Sequence, residues 1–149
     1  MQVLRTKISP VSKYIPLNIG VAIRANASDL HSFRWKTGKR VEADFFIDDP
    51  RHLLRVSFDG PCIVRLIDEM PLSTEHEHSA DEGLVRDHFA YQVEEAAFNK
   101  SQSEIWKMAV GVYGPTSHFR FVTGWTCMDV VTPATPEFEI VPRAIAQEA

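Results

Sequence analysis

The chain predicts a mainly β, α+β fold: a single domain over residues 1–149, built on an antiparallel sheet of seven or eight strands, either strongly twisted or partly closed into a barrel. One main helix is expected near residues 102–111, packed on that sheet. Three observations carry this expectation. His118 to Val131 consists of two alternating strands meeting at Gly124-Trp125. Leu17 to Arg24 alternates, with Leu17, Ile19, Val21 and Ile23 on one face and Asn18, Gly20, Ala22 and Arg24 on the other. Ser101-Gln102-Ser103-Glu104 has the form of a capping box and opens the one clear stretch of helical periodicity.

A two-residue loop at Gly124-Trp125 opposes Phe121 to Met128, Arg120 to Asp129 and Phe119 to Val130. Phe119, Phe121, Met128 and Val130 then form a wholly apolar face, while Arg120 and Asp129 make a cross-strand pair that reads most plainly as a surface ion pair. A slip of one residue would set Phe121 against Asp129, so the register is well specified. The Gly-X order predicts a type II′ turn with Gly124 at positive φ.

Earlier in the chain, a first strand is expected over Val3 to Ile8 and a second over Leu17 to Arg24. Ser32 to Lys36 and Arg40 to Ile47 are strands joined by a turn at Thr37-Gly38-Lys39, and Asp48-Asp49-Pro50 stops the second of them. His52 to Phe58 and Cys62 to Asp68 are expected to pair as a hairpin around Asp59-Gly60-Pro61, although Pro61 cannot adopt the positive φ of the usual three-residue loop. Pro71 to Gly83 is expected to be a long polar loop. His88 to Glu94 and Glu137 to Val141 complete the strands, and a frayed tail or one helical turn follows Pro142.

Composition narrows the function classes. With 149 residues, nine Phe and three Trp, the chain can bury one sizeable core without disulfides or metal. A formal net charge of −4 with no block of Lys or Arg argues against a sequence-independent grip on nucleic acid. The first residues lack the apolar run of a signal peptide, and no stretch reaches transmembrane length, so the expected location is cytoplasmic. Cys62 and Cys127 are then expected to be reduced and packed as small hydrophobes.

Four groups of residues could carry chemistry. His76 and His78, in Glu75-His76-Glu77-His78, would share one side of an extended segment and could hold zinc with nearby carboxylates; a solvated loop without a cofactor is the plainer reading. His88 and His118 begin strands and, with Asp129 or Glu94, could converge as acid–base machinery. Arg55 and Arg65 would lie side by side in the expected hairpin and could bind a carboxylate or phosphate, unless internal acids neutralise them. Trp125, at a hairpin tip, could anchor a partner or fold back over the sheet. Phe33, Trp35, Phe45 and Phe46 are expected in the core or flanking the sheet. No nucleophile elbow, phosphate loop, dinucleotide fingerprint or His-Glu-X-X-His occurs.

The expectation that best fits these features is a non-enzymatic protein-binding domain of immunity, inhibitor or accessory type, or a homodimer. A metal-assisted or His/carboxylate hydrolase-like enzyme using His76, His78, His88 and His118 is the alternative. A small-ligand-binding β-barrel is the third.

Overall fold

The computed structural model describes residues 11–38, 40–75 and 81–144. The strand expected at Val3 to Ile8, His76, His78 and the end of the C-terminal tail lie outside these residues. Among the described residues nine strands form two antiparallel sheets. The strands are β1 (Lys13–Pro16), β2 (Leu30–Trp35), β3 (Val41–Phe46), β4 (His52–Phe58), β5 (Ile63–Asp68), β6 (Ala90–Glu94), β7 (Ser117–Phe121), β8 (Thr126–Thr132) and β9 (Glu137–Pro142). Helices α1 (Glu69–Thr74), α2 (Ala97–Lys100) and α3 (Glu104–Tyr113) connect them.

The first sheet has the order β1-β6-β7-β8-β5 and the second β2-β3-β4-β9. Their inner faces meet in one core. Ala43, Phe45, Leu54, Val56 and Phe58 of the second sheet pack on Phe89, Ala90, Phe119, Phe121, Met128 and Val130 from the side of the first. The Phe45 and Phe89 rings lie 4.8 Å apart and those of Phe58 and Phe119 5.7 Å, within the range of favourable aromatic pairs. The molecule is therefore mainly β as expected, but as two open sheets facing each other rather than one sheet closing into a barrel.

The closing hairpin has the expected register: Phe121 opposes Met128, Arg120 opposes Asp129, and Phe119 opposes Val130. Its turn differs. Gly124 is not among the residues with positive φ, so the loop is not type II′. Glycine is required there by close approach instead, since a Cβ at position 124 would sit 2.6 Å from the Asn26 carbonyl oxygen. The short 3₁₀ turn Ala25–Ala27 and the residues after it dock on the tip, with Gly124 N donating to Ser28 O at 3.1 Å and Thr126 N to Asp29 Oδ1 at 2.9 Å. At Gly38 the expected turn does need a left-handed residue, with φ of +70°.

Three other expectations are corrected. Leu17 to Arg24 forms no strand, although its side chains alternate between half-buried and exposed at every position. Leu17, Ile19 and Ile23 pack against the core from an extended segment whose backbone is held by Leu17 N donating to Ala90 O at 2.9 Å. Hydrophobic alternation reports burial of one side, and here no neighbouring strand supplies a ladder. Strands β4 and β5 make no hairpin: β4 pairs with β3 and β9, β5 pairs with β8, and Asp59-Gly60-Pro61 carries the chain from one sheet to the other. The helix α3 starts two residues later than expected, capped by Ser103, whose Oγ accepts from Trp106 N at 3.1 Å. Ser101 instead donates to Phe98 O. Nor does α3 cover the hairpin, because the second sheet occupies that face.

Candidate functional site

The outer face of the first sheet carries a buried polar cluster. Along β7 the pleat sends Phe119 and Phe121 inward and His118 and Arg120 outward; along β8 it sends Met128 and Val130 inward and Asp129 outward. Arg65 of β5 lies opposite Asp129 on its other side. One carboxylate therefore receives three cationic or imidazole groups. Asp129 Oδ1 accepts from His118 Nε2 at 2.6 Å and from Arg120 Nε at 2.7 Å, and Oδ2 accepts from Arg65 Nη2 at 2.7 Å and Nε at 3.1 Å.

Arg120 and Asp129 are 1% and 0% exposed, so the expected surface pair is a buried one. The cover comes from the connecting helices. Phe98 of α2 stacks on the Arg65 guanidinium at 4.3 Å and lies 5.6 Å from the His118 ring. Glu75, at the C-cap of α1, accepts from Arg65 Nη1 at 2.9 Å, and the Tyr14 hydroxyl of β1 accepts from Arg120 Nη1 at 2.6 Å. Burial alone would raise the Asp129 carboxyl, but the bond from His118 and the Arg120 charge outweigh it and hold the group well below the usual carboxylate range.

A carboxylate only accepts, so His118 Nε2 carries the proton and Nδ1 is a bare, buried acceptor with no partner among the described residues. Protonating Nδ1 would bury a second N–H without an acceptor. Burial, assisted by the Arg120 and Arg65 charges, accordingly pushes the His118 imidazole below its ordinary value despite the pull of Asp129. The sign of the resulting pH dependence follows. The unfolded chain binds the extra proton first, so the stability supplied by neutral His118 is fully present above pH ~6.5 and is lost as pH falls toward the folded-state value. Urea unfolding between pH 7.5 and 5 should show stability falling with acidity, and His118→Gln should flatten that slope. An unchanged slope in the variant would place the titration elsewhere.

The dyad His118–Asp129 is thus present, but its imidazole side chain is fully buried, which suits an electrostatic brace better than a proton-transfer centre. His88 does not join it. β6 and β7 run antiparallel, with Val93 opposite His118 and Ala90 opposite Phe121, so His88 sits at the far end of the pair. There its Nε2 bonds Leu17 O at 3.1 Å and its ring lies 5.0 Å from that of Tyr91. Strand starts alternate ends in an antiparallel sheet, and the two histidines cannot share one edge.

Arg55 and Arg65 are also separated, one on each sheet. Arg55 Nε binds Asp44 Oδ1 at 2.9 Å and lies 3.1 Å from Glu42 Oε2, while Arg34 adds a second guanidinium to Asp44 at 3.1 Å. Both candidate anion binders are thereby engaged with acids of the protein itself. Trp125 does stand out at the hairpin tip, 57% exposed, with its carbonyl accepting from Glu69 N at 2.7 Å. Phe45 is fully buried and Phe33 packs against the same core, whereas Trp35 is about half exposed. Cys62 and Cys127 are both free thiols, and burial pushes each above its ordinary value. Among the described residues no group of His, Cys, Asp and Glu is arranged to hold a metal ion, and no helix is long and apolar enough to cross a membrane.

Two features escape the sequence reading. On α3, Ile105, Met108 and Val112 are 81%, 78% and 79% exposed, a stripe at i, i+3 and i+7 that contacts no core. A cleft of about 140 Å³ opens beside the buried cluster, between Tyr14, Arg120, α1 and the segment from Asp81 to Leu84. The all-apolar order of residues 108–110 and 112–113, interrupted only by Gly111, was a signal that this helix keeps more apolar surface than one covered face needs. Comparison with models of protein families, with curated proteins and with solved structures finds no match for the chain.

Proposed function

We propose that this is a protein-binding domain that inserts the apolar stripe of α3 into a groove on a partner protein. The carrying observation is the exposure of Ile105, Met108 and Val112 along one helix face, where a folded core would ordinarily cover them. Burying three such side chains contributes roughly 1.5–3 kcal/mol each. Two copies paired through the stripe would bury six such side chains, roughly 9–18 kcal/mol if each were fully covered, but flat pairing of two ten-residue helices covers each only on one side and brings the gain down toward the 4–15 kcal/mol that association costs. A groove that closes around the stripe and also takes Tyr113, itself more than half exposed, buries more of each side chain and favours a heterologous partner. Met108 supplies an adaptable contact near the centre.

Trp125 forms a second apolar point near Met70, the neighbour of the residue whose amide bonds the Trp125 carbonyl. The ion-paired Arg55 and Arg65 serve the fold in this reading. Free thiols at Cys62 and Cys127 suit work in a reducing compartment, and we place it in the cytoplasm.

Light scattering at tens of micromolar should give a monomer. A photo-crosslinking residue at Ile105 should capture one protein that the same residue at exposed Lys36 does not. Affinity for that protein, purified, should fall about 30-fold or more in Met108→Glu. A stable dimer dissolved by Met108→Glu, or crosslinking equal at both positions, would overturn the proposal.

A further inference from the structure

The cleft beside the buried cluster has chemistry that the binding helix does not use. Arg120 lines it, and its guanidinium is only partly engaged: Nε is held by Asp129 and Nη1 by Tyr14, while Nη2 is buried with no partner among the described residues. Tyr14 accepts from Arg120 and donates its hydroxyl hydrogen to none of the described residues, leaving a second donor at the same wall. The same cleft also holds acceptors. Asp81 Oδ1 is buried and unpartnered among the described residues, and Glu69 also lines the cleft. Leu72, Leu84 and Val122 complete the cleft with apolar surface.

We propose that this cleft binds a small zwitterion of the α-amino acid class, its carboxylate on Arg120 and Tyr14 and its ammonium on Asp81 and Glu69. Charge selects the class. A plain anion would meet the Asp81 carboxylate, and a plain cation would meet the Arg120 guanidinium. A molecule carrying both groups on one carbon offers a partner to the buried donor and to the buried acceptor together, and each would otherwise remain a costly unpaired group. Volume selects the size. The cleft's 140 Å³ compares with the roughly 150 Å³ of a cavity that accommodates benzene, so a ligand of about six to eight non-hydrogen atoms fits. L-alanine and L-serine meet that limit, and the alanine methyl suits the apolar wall; L-tryptophan exceeds the limit.

Thermal unfolding of the full chain with added probes tests this directly. L-alanine or L-serine should raise the melting temperature saturably, by about 3–6 °C at ten times the dissociation constant. Acetate and ethylamine, each carrying one of the two charges, should give less than a tenth of that shift at equal concentration, and L-tryptophan none. Asp81→Asn should abolish the response. Leu84→Trp, which fills the cleft from a position 56% exposed, should abolish it in a normally folded protein. No shift with either small amino acid up to about 50 mM would overturn the proposal. So would an equal response to acetate, or a response that survives in Leu84→Trp.

Discussion

Replacing Asp129 with Ala should lower the melting temperature by about 6–20 °C, the largest loss expected from any single outer-face residue of the first sheet. The substitution removes the acceptor shared by His118, Arg120 and Arg65 while leaving Arg120 buried with only the Tyr14 hydroxyl as partner. Stranding a buried charge costs roughly 3–5 kcal/mol, and a chain of this size loses roughly 2–4 °C per kcal/mol. The cause separates from simple loss of volume. If the stranded charge dominates, Arg120→Met combined with Asp129→Ala should be more stable than Asp129→Ala alone, because the uncompensated guanidinium is gone. Additive losses in the double variant, measured by thermal or urea unfolding, would show that packing and not charge governs the site. The depressed Asp129 carboxyl adds a pH arm. Its contribution is present above pH ~3.9 and is lost as pH falls through the folded-state value, so the Asp129→Ala penalty should shrink in strong acid.

Gly124→Val should cost about 1–3 kcal/mol, or about 2–12 °C, through overpacking against backbone. A Cβ would meet the Asn26 carbonyl oxygen at 2.6 Å, and that oxygen belongs to the turn that also bonds the hairpin tip through Ser28 and Asp29. Relief therefore requires moving the whole contact between the tip and residues 25–29. Because the conflict arises at Cβ, Gly124→Ala should already be destabilising. Gly124→Asn should fare no better than Ala, whereas a requirement for left-handed backbone would have favoured Asn. Thermal unfolding of the three variants distinguishes the two causes, and a clear advantage for Asn would restore the left-handed turn.

Much of the fold was legible because local rules and burial agreed. His52 to Phe58 appears with those same ends, and the Phe121–Met128 register follows from pairing apolar with apolar and Arg120 with Asp129. What sequence could not supply was the second layer. The face of Phe119 and Phe121 demands a cover, and a helix and another sheet satisfy that demand equally; only long-range pairing of β4 with β9 and β5 with β8 decides between them. Pro61 was the local hint that the chain leaves its sheet there rather than turning back. Leu17 to Arg24 shows the converse limit, since alternation specifies which side chains are buried and not whether a strand lies alongside.

The buried cluster was half legible. Register alone pairs Arg120 with Asp129, and their neighbours, not the register, decide that the pair is buried. Asp129 shares its face of β8 with Cys127 and Val131, both fully buried, so a carboxylate between them had to be buried and paired. The cleft next to it draws on Tyr14, Glu69, Asp81 and Arg120 from four separate segments, and no spacing in the chain announces that meeting.

Everything proposed for α3 depends on the second sheet, and not the helix, covering the hairpin's apolar face. Nuclear Overhauser contacts from the Phe121 ring decide this. They should run to Phe45, Phe58 and Phe89, whose ring centres lie 6.0, 6.2 and 5.6 Å away, with none to Ile105 or Met108. Cross-peaks joining Phe119 or Phe121 to the α3 side chains would contradict both the two-sheet core and the free binding face.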